Sequence, residues 1–424
     1  MKYLRFPQLI ALIFCSVMMV GAKADTPDLD QIWKVVQQQQ ARIEQLEASL
    51  ATSQNQLEAT QTQLTQESTK LQQAEIAIEN TVAAVSSASF TESDSGTTIG
   101  GYGELHYNDL DNGDEIDFHR FVMLFSHQFS DTLAFHSELE VEHSLAGEGK
   151  PGEVEVEQAF IQWGYADNHN AKLGLFLLPV GLLNETHEPD TFFGVERNNV
   201  EKNILPSTWW EAGISLSGEI APGWGYDVAM HSGLNLDTDN TKASKRSSIR
   251  SARQKVAEAN ADSLAYTARL RYSAYPGLQW NTSLQYQTDL TQGEANVVGT
   301  GEISGLLFET NLSYQRGGFE MRALYASWSL DDEIELLNPG SDEQTGWYLE
   351  PSYTFENGLG LFARYGGYDL TAGRSSASDE RKQFDFGVNY WLHDNVVVKA
   401  DYQRQDNDNG TDIDGFNLGV GYSF

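Results

Sequence analysis

The last eleven residues of the chain, Asp414–Phe424, read DGFNLGVGYSF, and their pattern decides how the rest is read. Side chains alternate between the two faces of an extended strand. Phe416, Leu418, Val420, Tyr422 and Phe424 therefore share one face, while Asn417, Gly419, Gly421 and Ser423 share the other. On a water-soluble sheet edge, so apolar a face would invite pairing with other chains. It is stable where it meets lipid while the small polar face meets water inside a closed barrel.

The same alternation recurs upstream. Leu133, Phe135, Leu139 and Val141 oppose His136, Glu138, Glu140 and Glu142, and similar runs occupy 278–289, 384–390 and 396–402. The period of two predicts strands at 97–107, 115–129, 132–143, 153–165, 171–179, 207–218, 224–233 and 262–274. It continues at 277–289, 303–315, 318–329, 345–355, 359–369, 382–391, 395–405 and 414–424. Tight turns follow the even-numbered strands, and longer loops follow the odd-numbered ones: 108–114, 144–152, 180–206, 234–261, 290–302, 330–344, 370–381 and 406–413. Short turns at one end and long loops at the other characterise outer-membrane barrels. The expected fold is therefore an all-β transmembrane barrel of sixteen antiparallel strands over residues 97–424, wide enough for an aqueous channel. Trp163, Trp209, Trp210, Trp224, Trp347 and Trp391 fall near strand ends, as interfacial girdles would require. The aromatic carboxyl terminus resembles the signal by which such barrels are recognised for insertion.

Three segments precede the barrel. Lys2 and Arg5, the apolar run Leu9–Val20 and Ala22-Lys23-Ala24 make residues 1–24 a secretory signal peptide, which takes the only cysteine, Cys15, with it. Leu29, Val36, Ile43, Leu50, Leu57, Leu64, Leu71, Ile78 and Val85 recur every seven residues. Residues 25–88 are therefore expected to form an α-helical coiled-coil arm, with a disordered polar linker as the alternative. Residues 89–96 then form a hinge.

The whole chain has a formal net charge of −34. Residues 1–24 hold three of its 27 bases and none of its 61 acids, so the mature chain stays strongly acidic. That excludes a nucleic-acid partner, which needs basic patches. Strand faces opposite the lipid-facing residues give candidate pore-lining charges. The bases are Arg120, Lys172, Arg269, Arg271, Arg322, Arg364 and Lys399. The acids are Glu104, Glu138, Glu140, Glu142, Glu211, Asp227, Glu309, Glu320, Glu350, Asp385 and Asp401. Lys242, Lys245, Arg246, Arg250, Arg253 and Lys255 form a basic segment in the fourth long loop, readable as an anion funnel, a lipid-headgroup contact or a solvated charge run.

Residues 173–216 run LGLFLLPVGLLNETHEPDTFFGVERNNVEKNILPSTWWEAGISL. Together with Arg253–Asn260 and Ala265–Arg269, this stretch resembles the phosphate-selective porin O/P type family of Gram-negative outer membranes. The resemblance implies a homotrimer of sixteen-stranded barrels whose third long loop folds into the pore. The residues agree, since 180–206 is the third long loop and its Leu182, Leu183, Phe192, Phe193, Val195 and Ile204 are too apolar for a solvated tip. Its charged residues Glu185, His187, Glu188, Glu196, Arg197 and Lys202 are candidates for the constriction. His187, Glu188 and Asp190 match no helix-borne metal motif, and a polar cluster holding the loop to the wall is the better reading. Family members of this type carry an arginine ladder and a lysine cluster, whereas acids outnumber bases on the candidate wall here.

The expectation is a passive diffusion channel for small hydrophilic solutes, anions such as phosphate among them. It would sit in the lipid of a Gram-negative outer membrane, with the arm in the periplasm, and would need no cofactor or metal. Two rivals stand beside it: a tether to the cell wall through the arm, and a barrel-borne surface enzyme, for which no catalytic constellation is visible. A track running from the basic loop to Arg269 and Arg271 on the eighth strand is the expected source of anion preference, with neutralisation by wall carboxylates such as Glu309 as its alternative.

Overall fold

The computed structural model describes residues 96–294, 301–373, 379–408, 410 and 412–424, together with short helical stretches at 33–34, 37–43, 45–50 and 54. The signal peptide, most of the arm and the hinge up to residue 95 lie outside the described residues.

The barrel strands are β1 Thr97–Leu110, β2 Gly113–Ser130, β3 Leu133–Glu142, β4 Val154–Ala166, β5 His169–Leu177, β6 Trp210–Ala221, β7 Trp224–His231 and β8 Ala265–Tyr272. They continue as β9 Leu278–Gln287, β10 Gly305–Arg316, β11 Phe319–Leu330, β12 Glu343–Thr354, β13 Leu359–Asp369, β14 Arg381–His393, β15 Val396–Asn407 and β16 Gly415–Ser423. Each pairs antiparallel with its sequence neighbours, and β1 pairs with β16 to close the barrel. The closing seam reaches the last residue, because Gly101 and Phe424 exchange both backbone hydrogen bonds, at 2.9 and 2.8 Å. A closed ladder leaves no backbone donor facing hydrocarbon. Phe384, Phe386, Phe416 and Leu418 stay exposed on the outer surface, as lipid-facing residues must.

One expected loop does not exist. Residues 108–114 are mostly strand, and β1 joins β2 through Asp111 and Asn112 alone. Asp111 and Asn112, short polar turn formers, make up the turn, and Gly113, at φ 137°, opens β2 directly after them. Strict alternation of turns and loops therefore fails at the first connection. Trp209 and Trp210 are also corrected, because both are buried inside rather than placed in a girdle.

The apolar core lies within the barrel, where a lipid-facing sheet cannot supply one. Leu178, Val180, Ile204, Leu205 and Trp209 pack with Leu234, Leu236 and Ile249 of the β7–β8 loop, with Leu290, Ile303, Ile334 and Leu337 of later loops, and with Leu307, Leu324 and Trp328 of β10 and β11. The loops are thus stitched to the wall by hydrophobic burial, at roughly 25 cal/mol per Å² of apolar surface.

Candidate functional site

The β5–β6 connection, residues 178–209, enters the barrel and crosses it. Asn184 closes its base: its side chain donates to Leu178 O at 2.8 Å and Trp209 O at 3.0 Å, and accepts from Trp209 N at 2.6 Å. Glu201, in the one-turn helix Val200–Asn203, accepts from the amides of Leu182 and Leu183 and from the Tyr348 hydroxyl of β12. The far wall then holds the loop by its carbonyls. Lys399 donates to Phe192 O and Gly194 O, Arg322 to Thr191 O, Asn389 to Phe192 O and Arg120 to His187 O. Asp401 accepts from Val195 N at 2.6 Å.

This explains the small face of β16. A Cβ on Gly421 would lie 2.4 Å from Pro189 Cβ, so backbone and loop could not approach as they do. Gly346 of β12 is similarly placed, 2.7 Å from Val200 Cγ1. The face expected to meet water meets the loop instead.

Several expected pore-lining charges are consumed by this packing. Arg120 donates to Glu104 at 2.8 Å and lies 3.8 Å from Glu140. Arg364 bridges Glu350 and Asp385, each at 3.0 Å, and Arg322 pairs with Glu320 at 2.7 Å. Glu211 is fully buried and accepts from Trp209 Nε1 and Ser232 Oγ. Glu138 accepts from Tyr102 Oη at 2.7 Å, and His187 Nε2 lies 2.8 Å from that oxygen. His187 is thus buried against the wall. Glu188 is half-buried in the same loop, and one of its carboxylate oxygens accepts no hydrogen bond. Arg269 is bound by Asp227 at 2.8 Å and by Glu185, and Arg271 by the same Asp227 at 2.9 Å. The expected track through Arg269 and Arg271 is therefore neutralised, by Asp227 and Glu185 rather than Glu309.

Two open volumes lie along the β2–β5 wall. One, of about 1000 Å³, is lined by Ala134, His136, Gln162 and Asn170 at the end carrying the short turns. The other, of about 640 Å³, lies toward the loop end between two differently charged sides. Its acidic side is Glu140 and Glu142 of β3 and Glu155 and Glu157 of β4. A bulge in β4 shifts the register between Glu138 and Leu139, which turns Glu157 inward beside Gln158. Sequence alternation places only one of that pair inside, so Glu157 was not legible as a pore residue.

The basic side comes from the loops: Arg197 and Lys202 of the inward loop, and Arg250 and Arg253 of the β7–β8 loop. Arg250 donates to Lys202 O at 3.0 Å, and Arg253 to Thr208 O while lying over the Trp210 ring. Arg197 reaches only His187 O, at 3.5 Å, and its Nε has no partner. Among the described residues none of these four makes a salt bridge, and carbonyl oxygens hold the three arginines without cancelling their charge. Burial, and next the neighbouring Arg250 charge, push the Arg253 guanidinium down to about 10, which leaves it protonated at neutral pH. Glu196 borders the same cavity. Burial opposes its ionisation, but His106, 3.0 Å away, holds its carboxyl well below the usual range. Lys255 turns to Glu153 and Glu155, while Lys242 and Lys245 stay exposed at the loop tip and Arg246 donates to Asn240 O. The basic segment thus divides into a solvated tip and an inward pair.

A family model described as Gram-negative porin matches residues 233–410. An uncharacterised protein of Aquifex aeolicus (strain VF5) is 32% identical over 357 residues, covering 78% of this chain and 80% of its own length. OmpF of Salmonella typhi, solved in complex with daunomycin, superposes with a TM-score of 0.56 at 14% identity, over 78% of this chain and 99% of that one. An anion-selective porin from Comamonas acidovorans gives 0.55 at 13% identity, over 77% and 99%. At such identities the likeness concerns the fold.

Proposed function

The chain belongs to the Gram-negative porins, and from that premise we propose a passive outer-membrane channel for small hydrophilic solutes that favours anions, phosphate among the candidates. The observation that carries the preference is the set of four loop cations, Arg197, Lys202, Arg250 and Arg253, facing one cavity without carboxylate partners. On the opposite side Arg120 and Lys255 offset Glu140 and Glu155 only in part, being shared with Glu104 and Glu153, while Glu142 and Glu157 also line the cavity and Glu196 is paired with His106. Charges fixed at a narrow, water-filled passage act on solutes at a few ångströms, where salt screens them least. No step of chemistry is required. The inward loop narrows the path, and the wall charge selects within it.

Liposome swelling with purified protein tests the channel itself. Sugars of rising size should enter at falling rates, and vesicles that swell no faster than protein-free ones would overturn the proposal.

A second proposal concerns the arm. Ile43, Leu46 and Leu50 lie on one helical face and are exposed in the single chain. Residues three and four apart share a helix face, so this seam supports a coiled coil that pairs copies of the chain in the periplasm. With the family resemblance of residues 173–216, it supports a homotrimer.

A further inference from the structure

We propose that the acidic side of the cavity is a binding site for a divalent cation of the calcium type, held by Glu140, Glu142 and Glu155 with Glu157 behind them. One oxygen from each of Glu140, Glu142 and Glu155 lies within 4.8 Å of the others. Calcium takes carboxylate oxygens at ~2.3–2.6 Å, so ligands on opposite sides of one ion sit at about that separation. Glu140 and Glu155 are direct cross-strand partners. Like charges directly opposite destabilise a sheet pair unless something bridges them.

The protein's own cations do not complete the neutralisation. Arg120 is shared with Glu104, its nearer partner at 2.8 Å against 3.8 Å to Glu140, and Lys255 is shared with Glu153. An independent observation comes from Glu157, which lines the same cavity and is 0% exposed. Its Oε1 accepts from Thr208, while its Oε2 accepts no hydrogen bond and has only a loose ion pair with His187 Nε2 at 3.7 Å. A buried carboxylate oxygen without a donor is costly, and a bound cation or its water supplies what is missing. The β4 bulge that aims Glu157 inward thereby gains a purpose. The space between the two sides opens to solvent, which leaves room for an ion that keeps part of its water shell.

Occupancy would cancel the acidic side and leave Arg197, Arg250 and Arg253 to set the field, so anion preference would rise with calcium. This electrical consequence rests on the channel reading, whereas the binding does not. The direct test is calorimetric titration of the purified full chain in detergent with CaCl₂ at constant ionic strength. Wild type should bind with a Kd in the ~10⁻⁴–10⁻³ M range of exposed calcium modules. Glu142→Gln and Glu155→Gln should each weaken binding about tenfold or more, since each removes one of three charged ligands. Glu219→Gln, at the exposed end of β6, should leave it unchanged. Heat-modifiable migration reports folding, and if Glu155→Gln fails it, Glu142→Gln alone decides, because Glu142 is half-buried. No binding by wild type, or equal binding by the folded variants, would overturn the site. Bilayer current in potassium chloride alone would still report on the channel reading separately.

Discussion

Among the guanidiniums inside the barrel, the decisive distinction is between those that face a carboxylate and those that face a carbonyl. Asp227 holds Arg269 and Arg271 together, and Glu185 closes the other side of Arg269. Their charges are spent within the wall. Replacing the whole cluster with neutral residues (Arg269→Met, Arg271→Met, Asp227→Asn and Glu185→Gln) removes no net charge and is therefore expected to leave ion selectivity unchanged while costing roughly 1–3 kcal/mol, the scale of hydrogen bonds to charged groups. Heat-modifiable mobility and a salt-gradient potential on the same preparation check the two halves, and an altered potential would return these residues to the filter. Which arginines are paired was not legible in the sequence. The alternation puts Arg269 on the inner face of its strand, but its partner Glu185 is 84 residues away, and no local pattern says which wall residue that part of the loop meets. Glu157 was missed for a different reason, since one extra residue in β4 breaks the period on which the reading of faces depends.

At the level of elements, the inward loop is a strap fastened at its base by Asn184, in its middle by Glu201 and at its far end by Lys399 and Asp401. Each fastening satisfies buried backbone groups, so loss of one leaves unpaired polar atoms at a cost of about 1–3 kcal/mol apiece. Glu201→Ala removes the acceptor for two amides and a tyrosine hydroxyl together. It is expected to loosen the strap, raising mean single-channel conductance and adding current noise. A folded variant with unaltered conductance would separate the strap from the conducting path. The strap was legible because Phe192, Phe193, Val195 and Ile204 cannot be left in water. Its effect on the wall was not: the glycines of β16 read as a watery face when they are clearance for the loop. Likewise, the sixteen strands follow from a period of two, while the missing first loop turned on the two residues Asp111 and Asn112 that close a hairpin locally.

For the whole molecule, outer-membrane residence and the closed barrel follow from the same economy. The strands present apolar residues outward around most of the barrel, and the seam between β1 and β16 leaves no open edge. If the arms help to hold the oligomer together, deleting residues 25–88 should preserve insertion and conductance while lowering the temperature at which cross-linkable oligomer is lost. An oligomer equally heat-stable without the arm would assign assembly to the barrels alone. The central claim is that selectivity resides in the loop cations facing the β2–β5 cavity. The most direct measurement is the zero-current potential of the purified protein in a planar bilayer under a potassium chloride gradient, compared with that of Arg250→Glu/Arg253→Glu. The account predicts stepwise currents with an anion-favouring potential that moves to the cation-favouring sign in the double variant. A folded, conducting double variant whose potential matches the wild type would contradict it.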